Sequence, residues 1–436
     1  MISLQGFSRV LVAVVATLVF SSYGWASCGC AAGCDQNGNC TTCGCAADTC
    51  DANGEGCGCE ANGKDCGCEA NGNGCGCASS GDCDCCGWCN LGDAWKLQRC
   101  DNCLGITYGG WVSLGYHSDQ TPLSDVFNDL LAFNDRAGVL NLHQAWVYME
   151  READGQCEWD MGFRVDFMYG TDAQKTQAFG QPTGWDTDWD HGGYGFALPQ
   201  AYLTFDKDDL TITVGKFFTM NGYEVVPATG NFFYSHALTM FNSEPFTHTG
   251  LMVSYDYTDD VTFHAGWTAG WDTGFRSFEG GSNFHGGVTV PLLDDLTMTY
   301  VLCAGDMGLR GEGYNHSLVF DWVINNCWEY VLQSDLVALE ADALNGGANN
   351  DQFGINQYLF YTINDCLKAG VRAEWWQTDN LDRYEVTFGV NVRPHANLVV
   401  RPEVRYDWGS GASEVLLPNT PNGEATTFGI DAVLTF

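Results

Sequence analysis

The chain has 436 residues, with 55 Asp or Glu against 18 Lys or Arg and a formal net charge of −37. That acidity excludes nucleic acid as a partner, because binding it needs a basic surface. Beyond the N-terminus no run approaches about eighteen consecutive apolar residues, which excludes membrane-spanning helices. The acidic exterior suits salty surroundings or cation-bridged contact with an anionic leaflet, although a solvated acidic surface accounts for most of these residues.

From the start of the chain, Arg9 precedes an apolar run from Val10 to Phe20, and small residues follow at Gly24 and Ala26. The run is too short to cross a bilayer and has the form of an export signal, so residues 1–26 are expected to be a signal peptide. Cys28 raises the question of lipidation, but Trp25-Ala26-Ser27 before it is a poor lipobox.

Residues 27–103 carry 19 of the 23 cysteines and repeat a nine-residue unit: Cys57-Gly-Cys59-Glu-Ala-Asn-Gly, Cys66-Gly-Cys68-Glu-Ala-Asn-Gly, Cys75-Gly-Cys77. Such low-complexity sequence builds no apolar core, so covalent links hold it or it stays disordered. Cys43-x-Cys45 and the run Cys83-x-Cys85-Cys86 resemble metallothionein spacing, which suits soft metals. An exported chain sits in an oxidising compartment, where thiols pair, so disulfides outweigh metal. The odd total leaves one thiol over or joined to another chain, and intermolecular disulfides in the envelope follow as an expectation.

From residue 104 to 436 the composition turns aromatic, Gly-rich and β-prone. Short Asp- or Asn-bearing turns recur at Lys207-Asp208-Asp209, Asp259-Asp260, Asp294-Asp295, Asn325-Asn326 and Asn364-Asp365, with Gly155-Gln156 and Pro394-His395 as two more. Between them lie longer Gly/Asp-rich stretches at 117–138, 170–193, 218–245, 271–281, 304–312, 339–352, 377–382 and 409–423. Counting along gives about 16 strands, with tight turns after even ones and long loops after odd ones. This is the rhythm of an all-β, transmembrane antiparallel β-barrel in an outer membrane.

Alternation assigns faces, because side chains change side with period two along a strand. Trp159, Met161, Phe163, Val165 and Phe167 oppose Glu158, Asp160, Arg164 and Asp166; Val261, Phe263, Ala265 and Trp267 oppose Thr262, His264 and Thr268. Tyr384, Val386, Phe388 and Val390 oppose Glu385, Thr387 and Asn391. Aromatics near strand ends (Trp271, Trp328, Trp375, Trp376, Tyr406, Trp408) fit interfacial girdles. Three strands, 139–150, 195–206 and 353–363, sort poorly. The last strand alternates to the end, with Phe428, Ile430, Ala432, Leu434 and Phe436 on one face and Gly429, Asp431, Val433 and Thr435 on the other. Phe436 is therefore assigned to closure of the ring.

Several motifs also carry a resemblance. Gly215-Lys-Phe-Phe-Thr-Met-Asn-Gly-Tyr-Glu-Val, Asn231-Phe-Phe-Tyr-Ser-His-Ala, Glu244-Pro-Phe-Thr-His-Thr-Gly and Gly270-Trp-Asp-Thr-Gly-Phe are of this kind, as are Gly281-Ser-Asn-Phe, Glu374-Trp-Trp and Arg401-Pro-Glu-Val-Arg-Tyr-Asp-Trp-Gly. Over roughly residues 105–436 the sequence resembles the OmpL-like β-barrel porin family of planctomycete-type bacteria. The resemblance implies an outer-membrane porin, a passive diffusion channel for small hydrophilic solutes, homotrimeric by analogy. It also implies that Phe436 is read by the barrel-assembly machinery on the way into outer-membrane lipid. The cysteine-rich segment lies outside the resemblance and inherits nothing from it.

In general porins the loop placed like 218–245 folds inward, which makes Tyr223, Glu224, Tyr234, His236 and Glu244 the candidate pore constriction; the alternative is that Tyr223 and Tyr234 anchor the loop to the wall. Six of the 14 basic residues after position 103 lie between Lys368 and Arg405. Alternation turns Lys368, Arg372, Arg393, Arg401 and Arg405 inward beside Glu374, Glu385, Glu403 and Asp407, and Arg164 inward on an earlier strand. These charges either set a transverse field across the pore or form a lattice of ion pairs that stiffens the barrel. His248 is a lone histidine beside a loop, Ser235-His236 is no triad, and Cys157, Cys303, Cys327 and Cys366 are too dispersed for a metal site. Neither enzyme chemistry, cofactor nor metal is expected. Cys157, Cys327 and Cys366 near turns could tether the N-terminal segment. A second functional reading makes the barrel an anchor for a disulfide cross-linker of the envelope.

Overall fold

The alternating C-terminal run becomes the strand β17 (Ala425–Thr435), which pairs antiparallel with β1 (Ile106–His117), from Trp111 opposite Thr435 to His117 opposite Gly429. That pairing closes the sheet on itself and leaves no edge to be capped. The computed structural model describes residues 89–98, 104–118, 132–134, 136–155, 158–178, 186, 190–275, 280–343, 346–378, 381–410 and 424–436. The expected signal peptide and residues 27–88 of the cysteine-rich segment lie outside the described residues.

The remaining strands follow in order: β2 (Asn141–Arg151), β3 (Asp160–Gly170), β4 (Gly195–Ala197), β5 (Ala201–Lys207), β6 (Leu210–Phe218), β7 (Thr247–Thr258), β8 (Val261–Thr268) and β9 (Ser282–Leu293). After them come β10 (Leu296–Asp306), β11 (Glu312–Val323), β12 (Trp328–Asp342), β13 (Ala348–Asn364), β14 (Leu367–Thr378), β15 (Leu381–His395) and β16 (Leu398–Ser410). Pairing is antiparallel throughout. β4 and β5 both pair with β3 and are two halves of one stave, so the barrel has sixteen staves, as the turn rhythm predicts. The break falls at Leu198-Pro199-Gln200, where proline has no N–H to give the ladder. Loops expected at 304–312, 339–352 and 377–382 are shorter than predicted, because β10 runs on to Asp306, β12 to Asp342 and β14 to Thr378, while β13 starts at Ala348 and β15 at Leu381.

The outer face is apolar and exposed: Phe388 is 59% accessible, Trp267 58% and Phe428 56%. Water does not tolerate so continuous an apolar belt, and lipid does. The opposite face of the same strands is buried and polar, with Glu385, Thr387 and Asp431 at 2% exposure or less. The three strands that alternation could not sort each have a physical reason. In β2 a bulge near His143 changes the phase, so that both His143 and Gln144 are buried and Trp146 points inward. In β13, Tyr358 and Phe360 are large aromatics on the inward face, at 1% and 0% exposure. The third is the stave broken at Pro199.

At the tight-turn rim, residues 89–98 lie against the barrel. Cys89 forms a disulfide with Cys366 in the β13–β14 turn, so one of the three expected turn cysteines does tether the N-terminal segment. Cys157 lies outside the described residues, and Cys327 is buried. Ala396 N–H donates to the Leu91 carbonyl at 2.8 Å, while Trp95 and Asn397 exchange two bonds of 2.9 and 2.8 Å. The Trp95 indole stacks on the Phe436 ring, centroids 6.5 Å apart, and Phe436 bonds Gly110 through both its N–H and its carbonyl. Phe436→Ala keeps those backbone bonds and loses the ring. The yield of folded, heat-modifiable barrel is expected to fall several-fold, while conductance of the folded fraction is unchanged; equal yields would sink the closure role.

Candidate functional site

A chain segment inside a barrel must satisfy its backbone polar groups, since every buried N–H and C=O needs a partner. The segment between Phe218 and Thr247 has little regular structure of its own, only a 3-10 turn at Ala228–Gly230 and a helix at Leu238–Ser243. Its partners come from the wall. Glu374 on β14 accepts the Leu238 and Thr239 N–H groups at 2.7 Å each, capping that short helix from outside. Glu403 on β16 accepts the Tyr234 and Ser235 N–H groups at 2.9 and 3.0 Å.

Guanidinium groups take the carbonyls. Arg372, fully buried, binds Glu385 at 2.5 Å, Glu224 at 2.6 Å and the Ser235 carbonyl at 2.8 Å. Arg401 grips Asp431 in a two-pronged pair at 2.8 and 2.6 Å and donates to the Ala228 and Asn231 carbonyls at 2.8 and 2.7 Å. Arg405 pairs with Asp407 at 2.7 Å and reaches the His236 carbonyl at 2.5 Å. The planar fork of arginine suits such split duty, half to a carboxylate and half to a backbone.

Aromatic side chains fix the same segment sterically. The Tyr234 ring lies over Gly115 and Gly429, where a Cβ would stand 2.7 and 2.8 Å from it, and its hydroxyl is 2.7 Å from His143 Nε2. His143 in turn bonds Asp172 at 2.9 Å. Phe232 and Phe233 cover Gly370 and Gly389 in the same manner and pack on Phe360. Tyr223 packs on Tyr358, ring centroids 4.9 Å apart. At the far end, Ser243 is held by Gln352, Trp376 and Asn315, and Gln333 donates to Glu244 at 2.5 Å.

The sequence-predicted residues therefore divide. Glu224, Tyr234 and Glu244 are buried at 5% exposure or less and bond to the wall. Burial, with the Asp335 carboxylate nearby, pushes Glu244 well above the usual carboxylate range. Burial also holds the His236 imidazole below its ordinary value. Arg372, Arg401, Arg405, Glu374, Glu385, Glu403 and Asp407 come together around the loop. Arg164 and Arg393 do not: Arg164 pairs with Glu150 and Asp166 on β2 and β3, and Arg393 is exposed near the β15–β16 turn; Lys368 pairs with Glu329 and touches only the edge of the loop, 6.0 Å from the Phe232 ring. Alternation in phase with Glu385 also points Arg383 inward, where it is 1% exposed, and the register sets Asp431 opposite Arg401; neither was singled out as a site. His248 is not solitary, since its ring stacks on His285 at 4.0 Å beside Cys303.

A family model described as "Putative beta-barrel porin-2, OmpL-like" matches residues 105–436. Among solved structures, an anion-selective porin from Comamonas acidovorans is similar at a TM-score of 0.52 and 10% identity, covering 76% of this chain and 99% of that one. The outer membrane channel DcaP of Acinetobacter baumannii reaches 0.50 at 9% identity, covering 76% and 97%. OmpT of Vibrio cholerae, in a trimer form, gives 0.49 at 13% identity, covering 76% and 99%. Likeness at these identities is one of fold. No curated protein sequence matches the chain.

Gly429→Leu places a side chain where the Tyr234 ring sits, an overpacking worth about 1–3 kcal/mol. The variant is expected to lose that much stability and to become cleavable by chymotrypsin at the loop aromatics. A cleavage map identical to that of the parent would contradict the anchoring of Tyr234.

Proposed function

Because the chain belongs to the OmpL-like β-barrel porin family, and is thus an outer-membrane porin channel, we propose that it passes small hydrophilic solutes by passive diffusion around an inward loop held by the arginine-bearing wall. What carries the reading is the set of ties from Arg372, Arg401 and Arg405 to backbone carbonyls of the loop. A loop fastened at so many points across the lumen narrows it to a fixed shape, and size selection follows from that shape.

The arginines act first as fasteners in this reading and second as charges. Each is matched by a carboxylate within 2.7 Å, which confines its field to short range. A homotrimer in outer-membrane lipid, delivered by the barrel-assembly machinery, is the assembly we propose with it. A second reading draws on the Cys89–Cys366 disulfide: the barrel anchors an oxidised cysteine-rich segment that cross-links the envelope. Non-reducing gels separate the two, because a cross-linker migrates as a ladder that thiols collapse, and a channel alone migrates as one species.

Conductance in planar bilayers tests the leading reading; a folded barrel that never conducts removes it. Arg372→Ala leaves Glu224 buried without its cation and Glu385 with only Arg405 at 3.8 Å, a loss of roughly 3–5 kcal/mol when one partner of a buried pair is removed. The variant is expected to flicker between conductance levels and to shift its reversal potential toward cations. A steady current with an unchanged reversal potential would refute both the fastening and the charge role.

A further inference from the structure

Two histidines and a cysteine that are far apart in sequence meet where the loop leaves the wall. His248 begins β7, His285 lies on β9, and Cys303 lies directly opposite His285 on β10. All three are buried, at 1%, 0% and 0% exposure. One donor atom from each lies within 4.8 Å of the others, and His285 Nδ1 is 3.0 Å from Cys303 Sγ. The two imidazole rings stack at 4.0 Å with 28° between their planes.

The ordinary explanation, a packed and satisfied pair of core histidines, leaves too much unmatched. His285 Nε2 and the Asn221 amide nitrogen are buried without a hydrogen-bond partner, while the His248 imidazole also meets the Gly270 backbone. Native interiors seldom leave such atoms unsatisfied, and two in one cluster call for a ligand. The loop supplies the remaining neighbours: Thr219 Oγ1 is 3.1 Å from His248 Nε2, and the Asn221 side-chain oxygen is 3.7 Å from Cys303 Sγ.

We propose that His248, His285 and Cys303 form a zinc-class metal site that pins the root of the lumen loop to β7, β9 and β10. Two imidazoles and a thiol are borderline-to-soft donors, and the set contains no carboxylate, so it selects against Ca²⁺ and Mg²⁺. A tetrahedral ion with bonds of about 2.0–2.3 Å spaces its ligands about 3.3–3.8 Å apart, inside the separations found here. On binding, the Cys303 thiol gives its proton to solvent as the sulfur–metal bond forms, and the ion keeps its +2 oxidation state. The Asn221 oxygen or a water completes the shell. Thr219, accepting from an imidazole N–H, would orient the His248 ring.

The test uses the full chain, folded and oxidised, stripped with EDTA and titrated with Co²⁺. The parent protein is expected to take up one equivalent that produces tetrahedral d–d bands and a thiolate-to-cobalt charge-transfer band, both erased by Zn²⁺. Cys303→Ser is expected to lose the charge-transfer band, and His285→Ala the whole equivalent. The cysteines of residues 27–103 are common to all three proteins and cancel in the difference spectra. Folding is checked by heat-modifiable migration, and His248→Gln stands in for either variant that fails it. Difference spectra that are flat across folded parent and variants would overturn the proposal.

Discussion

Everything inside this barrel follows from the need to give partners to a stretch of backbone that makes few hydrogen bonds of its own. Regular strands settle their N–H and C=O groups within the ring. The segment between β6 and β7 does not, and it lies against the inner wall of the barrel. The wall answers with charged side chains: carboxylates for N–H groups, guanidiniums for carbonyls. Charge-assisted bonds of this kind are short and directional, which is why a few residues fix a long excursion.

The same arrangement explains why the barrel keeps so many buried charges. A buried pair contributes little net stability against apolar packing of equal volume, yet losing one member is costly. The arginine–carboxylate pairs thus act more to impose one loop geometry than to raise overall stability. Glycines opposite Tyr234, Phe232 and Phe233 complete the fit by lowering the wall under the rings. Ionic and steric fixation converge on the same few turns of chain, near Ser235 in particular.

Much of the frame was legible from alternation alone, and the reason is simple. A strand with lipid on one side and polar lumen on the other must change character at every residue, as β8, β15 and β17 do. Where a residue answers to the loop instead, the pattern fails. Tyr358 and Phe360 are apolar on the polar face because loop aromatics sit on them, and the phase change near His143 comes from a bulge that no residue type announces. The partners of the loop were legible as a charged set but not as pairs, since Arg372 and Glu224 lie 148 positions apart. His285 was overlooked because its meaning depends on register: only the pairing of β9 with β10 sets it against Cys303.

The bridge from Cys89 to Cys366 joins residues 277 positions apart in sequence, and all strands from β1 to β13 lie between its ends. Topologically this makes most of the barrel a covalent ring rather than an open string. A cut in any external loop within that span severs the chain without freeing a fragment, because both pieces remain joined at the rim. The bridge also couples oxidation to geometry. Cys89 meets Cys366 on the rim that the β13–β14 turn shares with residues 89–98, so the closed bridge keeps that segment on the tight-turn side of the barrel.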